Sequence, residues 1–287
     1  MNTTIKKYVQ LLRDRLNSDF WKTLLSTLGS LSAIVTLVSY VLQIDNPSPL
    51  VIVIYFASVL IFSVVITLVL TKRKESLSLN ISNSLNVAVK SGDIFDFADK
   101  TNYVIIPVNE YFDTKVNTKI VSPSTLHGQF INKYYKGNSP QLHEEIEDYL
   151  KKNKVEPLEV KSRPNEGGHE KRYPLGTCVP IKVGQVTFVL VALTHFDNDD
   201  HAYVELSEFG RCISSMCRFI EMNAGNRPAY MPLMGMGLSR LNQTGQFILK
   251  YTLDTIIGVK DLAIPGGLSI IVYPPTAKTL DLNSIKY

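Results

Sequence analysis

Two long apolar runs open the chain. Between Lys22 and Asp45 lie 22 uncharged residues, and between Asp45 and Lys72 another 26, most of them Val, Ile, Leu and Phe. A helix rises about 1.5 Å per residue, so about 20 such residues cross a hydrocarbon core of roughly 30 Å. The pattern predicts two membrane spans, about 23–44 and 50–71, with residues 1–80 as an anchor and 81–287 as a separate domain. A cleaved signal peptide fits less well: the first run starts late, lacks a small-residue cleavage site and is followed at once by a second run. Within the first span Ser26, Gly29, Ser30, Ser32, Ala33, Thr36 and Ser39 recur at helical intervals. Small residues four apart let helix backbones approach closely, either against the partner span or against further copies.

Beyond a polar connector at 75–84, strand-like runs alternate with stretches of helical period. "LNVAVKSGDI" and "YVIIPVN" read as strands, followed by helices over Gly128–Lys136 and Pro140–Lys152. "GTCVPIKVGQVTFVLVALTHF" splits at "VGQ" into two strands, like a hairpin. A helix over Tyr203–Asn223, a strand "AYMPLM", a helix over Asn242–Ile257 and a strand "LSIIVY" complete the series. Apolar strands separated by helices predict a three-layer α/β domain with a mixed sheet. In such sheets ligands bind beyond the carboxyl ends of the strands.

Charge adds the topology. Residues 1–80 hold 8 Lys and Arg against 4 Asp and Glu, and the remainder holds 22 of each, so the whole net charge of +4 belongs to the anchor. The positives flank the two spans and are absent from the connecting "DNPSP", which places both termini in the cytoplasm. The second domain has no basic excess to suggest a nucleic acid partner. Cys178, Cys212 and Cys217 have neither CxxC spacing nor an even count and read as reduced thiols; no zinc site is suggested.

Candidate chemistry gathers at the strand ends. "SGDIFDF" (91–97) places Asp93 and Ile94 after a tight turn, with helix capping as the simplest role for Asp93. "PVNEYFDT" (107–114) ends a strand with Asn109, Glu110 and Asp113, able to bind ribose hydroxyls or a cation, or to make a turn. "SPSTLHGQF" (122–130) sets Ser124, Thr125, Leu126, His127 and Gly128 at a helix start, where free amides attract anions. "YMPLMGMGLSRL" (230–241) offers Gly235, Met236, Gly237, Leu238, Ser239 and Arg240 as a second anion loop, although it is neither a Walker A nor a complete GxGxxG pattern. "HFDNDDH" (195–201) could bind a divalent metal, but seven successive positions rarely point at one centre, so it reads as a strand-to-helix loop with Asp200 capping the next helix; "EGGH" (166–169) reads as a flexible loop.

In this order "VKSGDIFDF", "VIIPVN" and "YMPLMGMGLSRL" resemble the macro domain family, which binds ADP-ribose, over about residues 85–275. The resemblance implies that Asp93 bonds the adenine amine and Ile94 contributes an amide. It also implies that 235–239 cradle the diphosphate and distal ribose, that 124–128 close over it and that Tyr273 stacks near adenine. The family's hydrolases carry Asn-Ala-Ala-Asn where this chain has "NEYF", with Phe112 in place of the last Asn, and the first loop's glycine run is reduced to "LHGQF". A binder without catalytic residues is therefore expected.

Two spans joined to such a domain resemble the membrane effector of Thoeris antiphage systems. That resemblance implies a TIR-domain protein as source of the signal, histidine-conjugated ADP-ribose as ligand, no cofactor or metal, and homo-oligomerisation in the membrane during abortive infection. Glu110 and Asp113 are then the candidates for contact with the cationic extra group. The alternatives are a membrane-tethered ADP-ribosyl hydrolase and a scaffold with an empty pocket.

Overall fold

A computed structural model describes residues 18–41, 48–70, 74–99, 101–136, 140–163, 167–197, 201–237 and 241–287. The chain divides into two compact units, Met1–Arg73 and Lys74–Tyr287. In the first, helices α1 (Ser18–Val41) and α2 (Pro49–Leu70) pair as a hairpin. Both are long and apolar enough to cross a membrane, and most of their side chains are exposed. Val59, Ser63 and Thr67, four apart on one face of α2, are buried, and the Thr67 hydroxyl meets that of Thr27 at 3.2 Å. Thr67 also donates to the Ser63 carbonyl at 2.7 Å, so its hydroxyl is satisfied without water. Gly29, Ser30 and Ala33 are exposed, and a Cβ on Gly29 would meet nothing within 4 Å. The small-residue stripe therefore faces away from the partner helix.

The second unit is built on a mixed sheet of strands β1 (Leu77–Ser82), β2 (Leu85–Ser91), β3 (Tyr103–Asn109), β6 (Cys178–Val183), β7 (Val186–Phe196), β8 (Ala202–Tyr203), β9 (Ala229–Pro232) and β10 (Ile264–Val272). Their order is β1-β2-β10-β9-β3-β7-β6, with β8 turned back onto the end of β7. The five from β2 to β7 in that order are parallel; β1 and β6 close the edges antiparallel. A separate ribbon joins β4 (Glu159–Val160) to β5 (Lys171–Arg172).

Strand period 2 splits the core in two. Ile105, Val189, Val191 and Ile270 face helices α5 (Leu206–Ala224) and α6 (Gly245–Gly258), through Phe209, Ile213, Met216, Ile248 and Leu253. Val104, Ile106, Phe188 and Leu190 face α3 (Leu126–Tyr135) and α4 (Pro140–Lys152), which contribute Phe130, Ile131 and the stripe Leu142, Ile146, Leu150. Each such apolar side chain, fully buried, contributes about 1.5–3 kcal/mol. The three layers expected from the sequence are present.

Several boundaries differ. The connector at 75–84 contains β1, whose Leu77, Leu79 and Ile81 alternate with Ser and Asn and pack on the core. Helix α3 starts at Leu126, two residues early, because the Thr125 side chain accepts from Gly128 N at 3.0 Å and caps it. Helix α5 starts at Leu206, after β8, with the Glu208 carboxylate accepting from Glu205 N at 3.3 Å. Asp200, expected as its cap, lies outside the described residues.

The sheet forks at one place. β9 pairs with β3 only at Tyr103↔Ala229 and Val104↔Tyr230, whereas β3 continues beside β7 to Asn109. Pro107 and Pro232 stand on the two diverging strands, and proline has no N–H to offer a ladder. The gap left between the strands' carboxyl ends is where the site lies.

Candidate functional site

A cleft of 470 Å³ fills the fork, walled by Pro107–Asn109, the end of β7 at Leu193, Thr194 and Phe196, Ser124–His127 and Pro232–Gly237. A second cleft of 430 Å³ runs on from it, sharing Ser124, Leu126, Pro232, Leu233 and Met236, and ends at Asp93, Ile94 and Tyr273. The two make one trough over the carboxyl ends of the parallel strands, the place where open α/β sheets bind ligands.

At one end of the trough Asp93 caps the 3-10 turn Ile94–Phe97, its Oδ1 accepting from Phe95 N at 2.9 Å. Tyr273 is 65% exposed and begins helix α7 (Pro274–Ala277). Its ring is therefore free to cover a flat group. In the middle, the loop before α3 is tightly built: Thr125 Oγ1 donates to the Ser122 carbonyl at 2.7 Å, and the Ser122 and Ser124 hydroxyls meet at 2.9 Å. A Cβ on Gly128 would fall 2.2 Å from the Ser122 carbonyl oxygen, so only glycine fits. Gly128 is thus a packing residue of this loop and lines neither cleft.

His127 is buried and lines the first cleft. Burial lowers its pKa to about 3 despite a hydrogen bond to the Asp113 backbone, so the ring is neutral at physiological pH. Opposite, Gly235 has φ +86° and a Cβ there would strike Leu241 at 2.8 Å, whereas one on Gly237 would meet nothing within 4 Å. The first glycine shapes the loop and the second leaves it open. Leu238, Ser239 and Arg240, expected in the same loop, lie outside the described residues.

The end of β3 is arranged differently from expectation. The Asn109 side chain is spent on its own turn: its amide donates to Asp113 Oδ2 at 3.0 Å and its carbonyl accepts from Tyr111 N at 3.1 Å. Asp113 is fully buried and reaches neither cleft of the trough, so it cannot meet a ligand's cation there. Its carboxylate is held by Arg163 at 2.7 and 3.0 Å and by His169 N at 2.7 Å. Glu110 also points away from the trough, accepting from Phe196 N at 3.2 Å beside His195 Nδ1 at 2.7 Å. At the end of this ladder β7 carries one extra residue, Leu193, between the partners of Val108 and Asn109.

Glu110 opens instead onto a third, polar cleft of 590 Å³, bounded by the β4–β5 ribbon and the β7–β8 turn. His195 bridges Glu110 and Glu208, its Nε2 3.1 Å from Glu208 Oε1. Burial would lower the His195 pKa, but the hydrogen bonds and charges of the two carboxylates outweigh it and raise it. Arg163 lies over the Tyr111 ring at 4.1 Å and the Phe196 ring at 5.0 Å. These contacts were not legible in the sequence, because Arg163, Arg172 and His195 arrive from segments far from β3.

Phe112 is 1% exposed at φ 51° and packs edge-on to Tyr173 at 5.9 Å. It belongs to the core, not to the trough. Burial pushes the thiols of Cys178, Cys212 and Cys217 up to about 12, which makes poor nucleophiles of them. Among the described residues no three His, Cys, Asp or Glu side chains are grouped to hold a metal ion.

Comparison with known proteins places this arrangement. Residues 87–273 match the family described as "Thoeris protein ThsA, Macro domain". A Thoeris protein ThsA from Bacillus amyloliquefaciens (strain Y2) is 29% identical over 235 residues, 82% of this chain and 75% of that protein. Among solved structures, the Oceanobacillus iheyensis macrodomain with ADP is 12% identical over 71% of this chain and 91% of its own, with a TM-score of 0.46. The same macrodomain with MES bound gives 12%, 71%, 92% and 0.46.

Proposed function

The chain belongs to the macro-domain family of Thoeris protein ThsA, and from that premise we propose that it is a membrane-bound sensing effector of antiphage defence. The observation that carries the reading is the trough: two joined clefts over parallel strand ends, with a flat-group wall at Tyr273 and a glycine loop at its middle. Its shape and chemistry suit a dinucleotide-length ligand of the ADP-ribose class, adenine toward Asp93 and Tyr273, diphosphate between Gly237 and the α3 N-terminus. The ligand is a signal made from NAD by a TIR-domain partner, ADP-ribose conjugated to histidine.

Binding without turnover is the mechanism we favour. Phe112 fills the position of the family's hydrolytic Asn from within the core, and the nearby carboxylates Glu110 and Asp113 are held by hydrogen bonds. The helices α1 and α2 cross the membrane with both termini cytoplasmic, as the flanking Lys and Arg favour. Ligand shifts the protein toward an assembled state in which several hairpins together breach the bilayer. To turn a 1:99 resting population into 99:1 it must bind that state about 10⁴-fold more tightly.

The test is calorimetry on the full-length protein in detergent with ADP-ribose, NAD and histidine-conjugated ADP-ribose, followed by dye release from vesicles. Selective binding of the conjugate with intact ligand recovered afterwards, and leakage only in its presence, is the expected result. Release of free ADP-ribose from the conjugate would replace the sensor by a hydrolase.

A further inference from the structure

The two edges of the main sheet are not alike. An edge strand presents a row of unpaired N–H and C=O groups, and folded chains guard such a row with charge, proline or a bulge. β6, at one edge, is guarded twice: Pro180 has no N–H to offer, and Lys182 is exposed. β1, at the other edge, has neither device. From Ser76 to Val89 the chain holds no charged residue and no proline. The register shift of β1 falls between Asn80 and Ser82, which leaves Leu77 to Asn80 in regular register, and among the described residues no strand pairs with the outer side of β1.

The side chains of this edge are neutral on both faces. Leu77 is buried on the core side, whereas Leu79 and Ile81 pack on the same core and stay half-buried, β1 being the last strand on that side. On the other face Ser78 and Asn80 are exposed and reach across to β2. Ser78 Oγ donates to Asn86 Oδ1 at 3.3 Å, and Asn86 Nδ2 donates to Asn80 Oδ1 at 2.7 Å. A further strand laid along β1 would cover Leu79 and Ile81 and continue this ladder of amides and hydroxyls. A second β1 is such a strand, and because it is uncharged it brings no like charges face to face.

The chain itself brings that partner close. Helix α2 ends at Leu70 and β1 begins at Leu77, so residues 71–76 alone join them. Copies sharing a bilayer therefore carry β1 on a short tether. Two six-residue strands bury less than the about 1,200–2,000 Å² of a stable soluble dimer, so pairing depends on this confinement, which raises the effective concentration of one edge for the next.

We infer that β1 is a homotypic docking edge: copies in one bilayer pair their β1 strands antiparallel about a twofold axis and join their sheets into one. Such an isologous contact uses the same patch twice and closes at two copies. It rests on the membrane-spanning reading of the hairpin and is independent of the nucleotide.

The full-length protein is reconstituted in vesicles with cysteines introduced as Ser78→Cys, Asn80→Cys and Ser82→Cys, alone and in pairwise mixtures, and treated with a mild oxidant. The chain's own Cys178, Cys212 and Cys217 are buried and stay out of the reaction. Facing Cα atoms of an antiparallel pair lie about 4.5–5.5 Å apart, within reach of a disulfide. At least one combination should give a covalent dimer in severalfold higher yield than Lys182→Cys, an exposed position on the guarded edge. A guarding lysine, Ser78→Lys, or Asn80→Lys where residue 78 carries the cysteine, should cut that yield severalfold with the melting temperature unchanged. Yields no higher than at Lys182→Cys overturn the pairing, and maleimide shielding of the three positions without dimer would put a different occupant on the edge. Failure of the chain to float with the vesicles overturns the membrane reading and the pairing with it, whereas an inserted chain that does not pair leaves the membrane reading standing.

Discussion

Gly235 and Gly237 stand two positions apart in one loop and do different work. Gly235 is required by its positive φ, so Gly235→Ala should cost about 1–3 kcal/mol of stability in urea melts. Gly237 has open space at its Cβ, so Gly237→Val should change stability by less than about 0.5 kcal/mol. Because that space is part of the trough, the same variant should lose binding of ADP-ribose conjugates in calorimetry. His127 supplies a pH signature. Its folded pKa is depressed to about 3, so between that value and about 6.5 the unfolded chain binds the extra proton. Stability is then full above the unfolded pKa and falls as pH drops through this window, by up to about 1.4 kcal/mol per pH unit. A series of urea midpoints from pH 7 to pH 4 should show this slope, and His127→Asn should flatten it.

Among the elements, the loop into α3 shows how local chemistry fixes a site. Thr125→Ala removes the cap on Gly128 N and should cost about 1 kcal/mol. Gly128→Ala should cost more, since the contact it creates is with backbone that has nowhere to go. Thermal melts of the two variants give the order. The strands β2, β3, β6 and β7 were legible from apolar runs and a Val-Gly turn, because short-range pattern and burial agree there. β1 escaped although Leu77, Leu79 and Ile81 alternate with polar residues, because Ser and Asn mask so short a strand. The direction of Glu110 and Asp113 was not legible. It is set by Arg163, His169 and His195, partners brought in by tertiary folding. Asp93, Gly235 and Gly237 line the trough, and their position at strand ends was legible because turn chemistry is a local property.

For the molecule as a whole, the hairpin and the macro domain are separate compact units, and both core clusters belong to the macro domain. The stripe Gly29, Ser30, Ala33 faces outward from the hairpin, and in the assembly proposed above it is the face offered to another helix. Ala33→Leu should therefore leave ligand binding intact yet reduce ligand-triggered dye release severalfold. Crosslinking in vesicles should show fewer higher oligomers of this variant, and unchanged crosslinking would remove α1 from the contact.

The fork gives the sheet the mechanics of a lever. With only Tyr103 and Val104 joined to β9, the fulcrum lies at the amino end of β3, and the two long arms are β1-β2-β10-β9 on one side and β3-β7-β6 on the other. One of the outer strands is β1, the first strand after the membrane helices along the chain. If the proposed ligand seats between the two arms of the sheet, spin labels on β1 and β6 should report a change in separation when it is added.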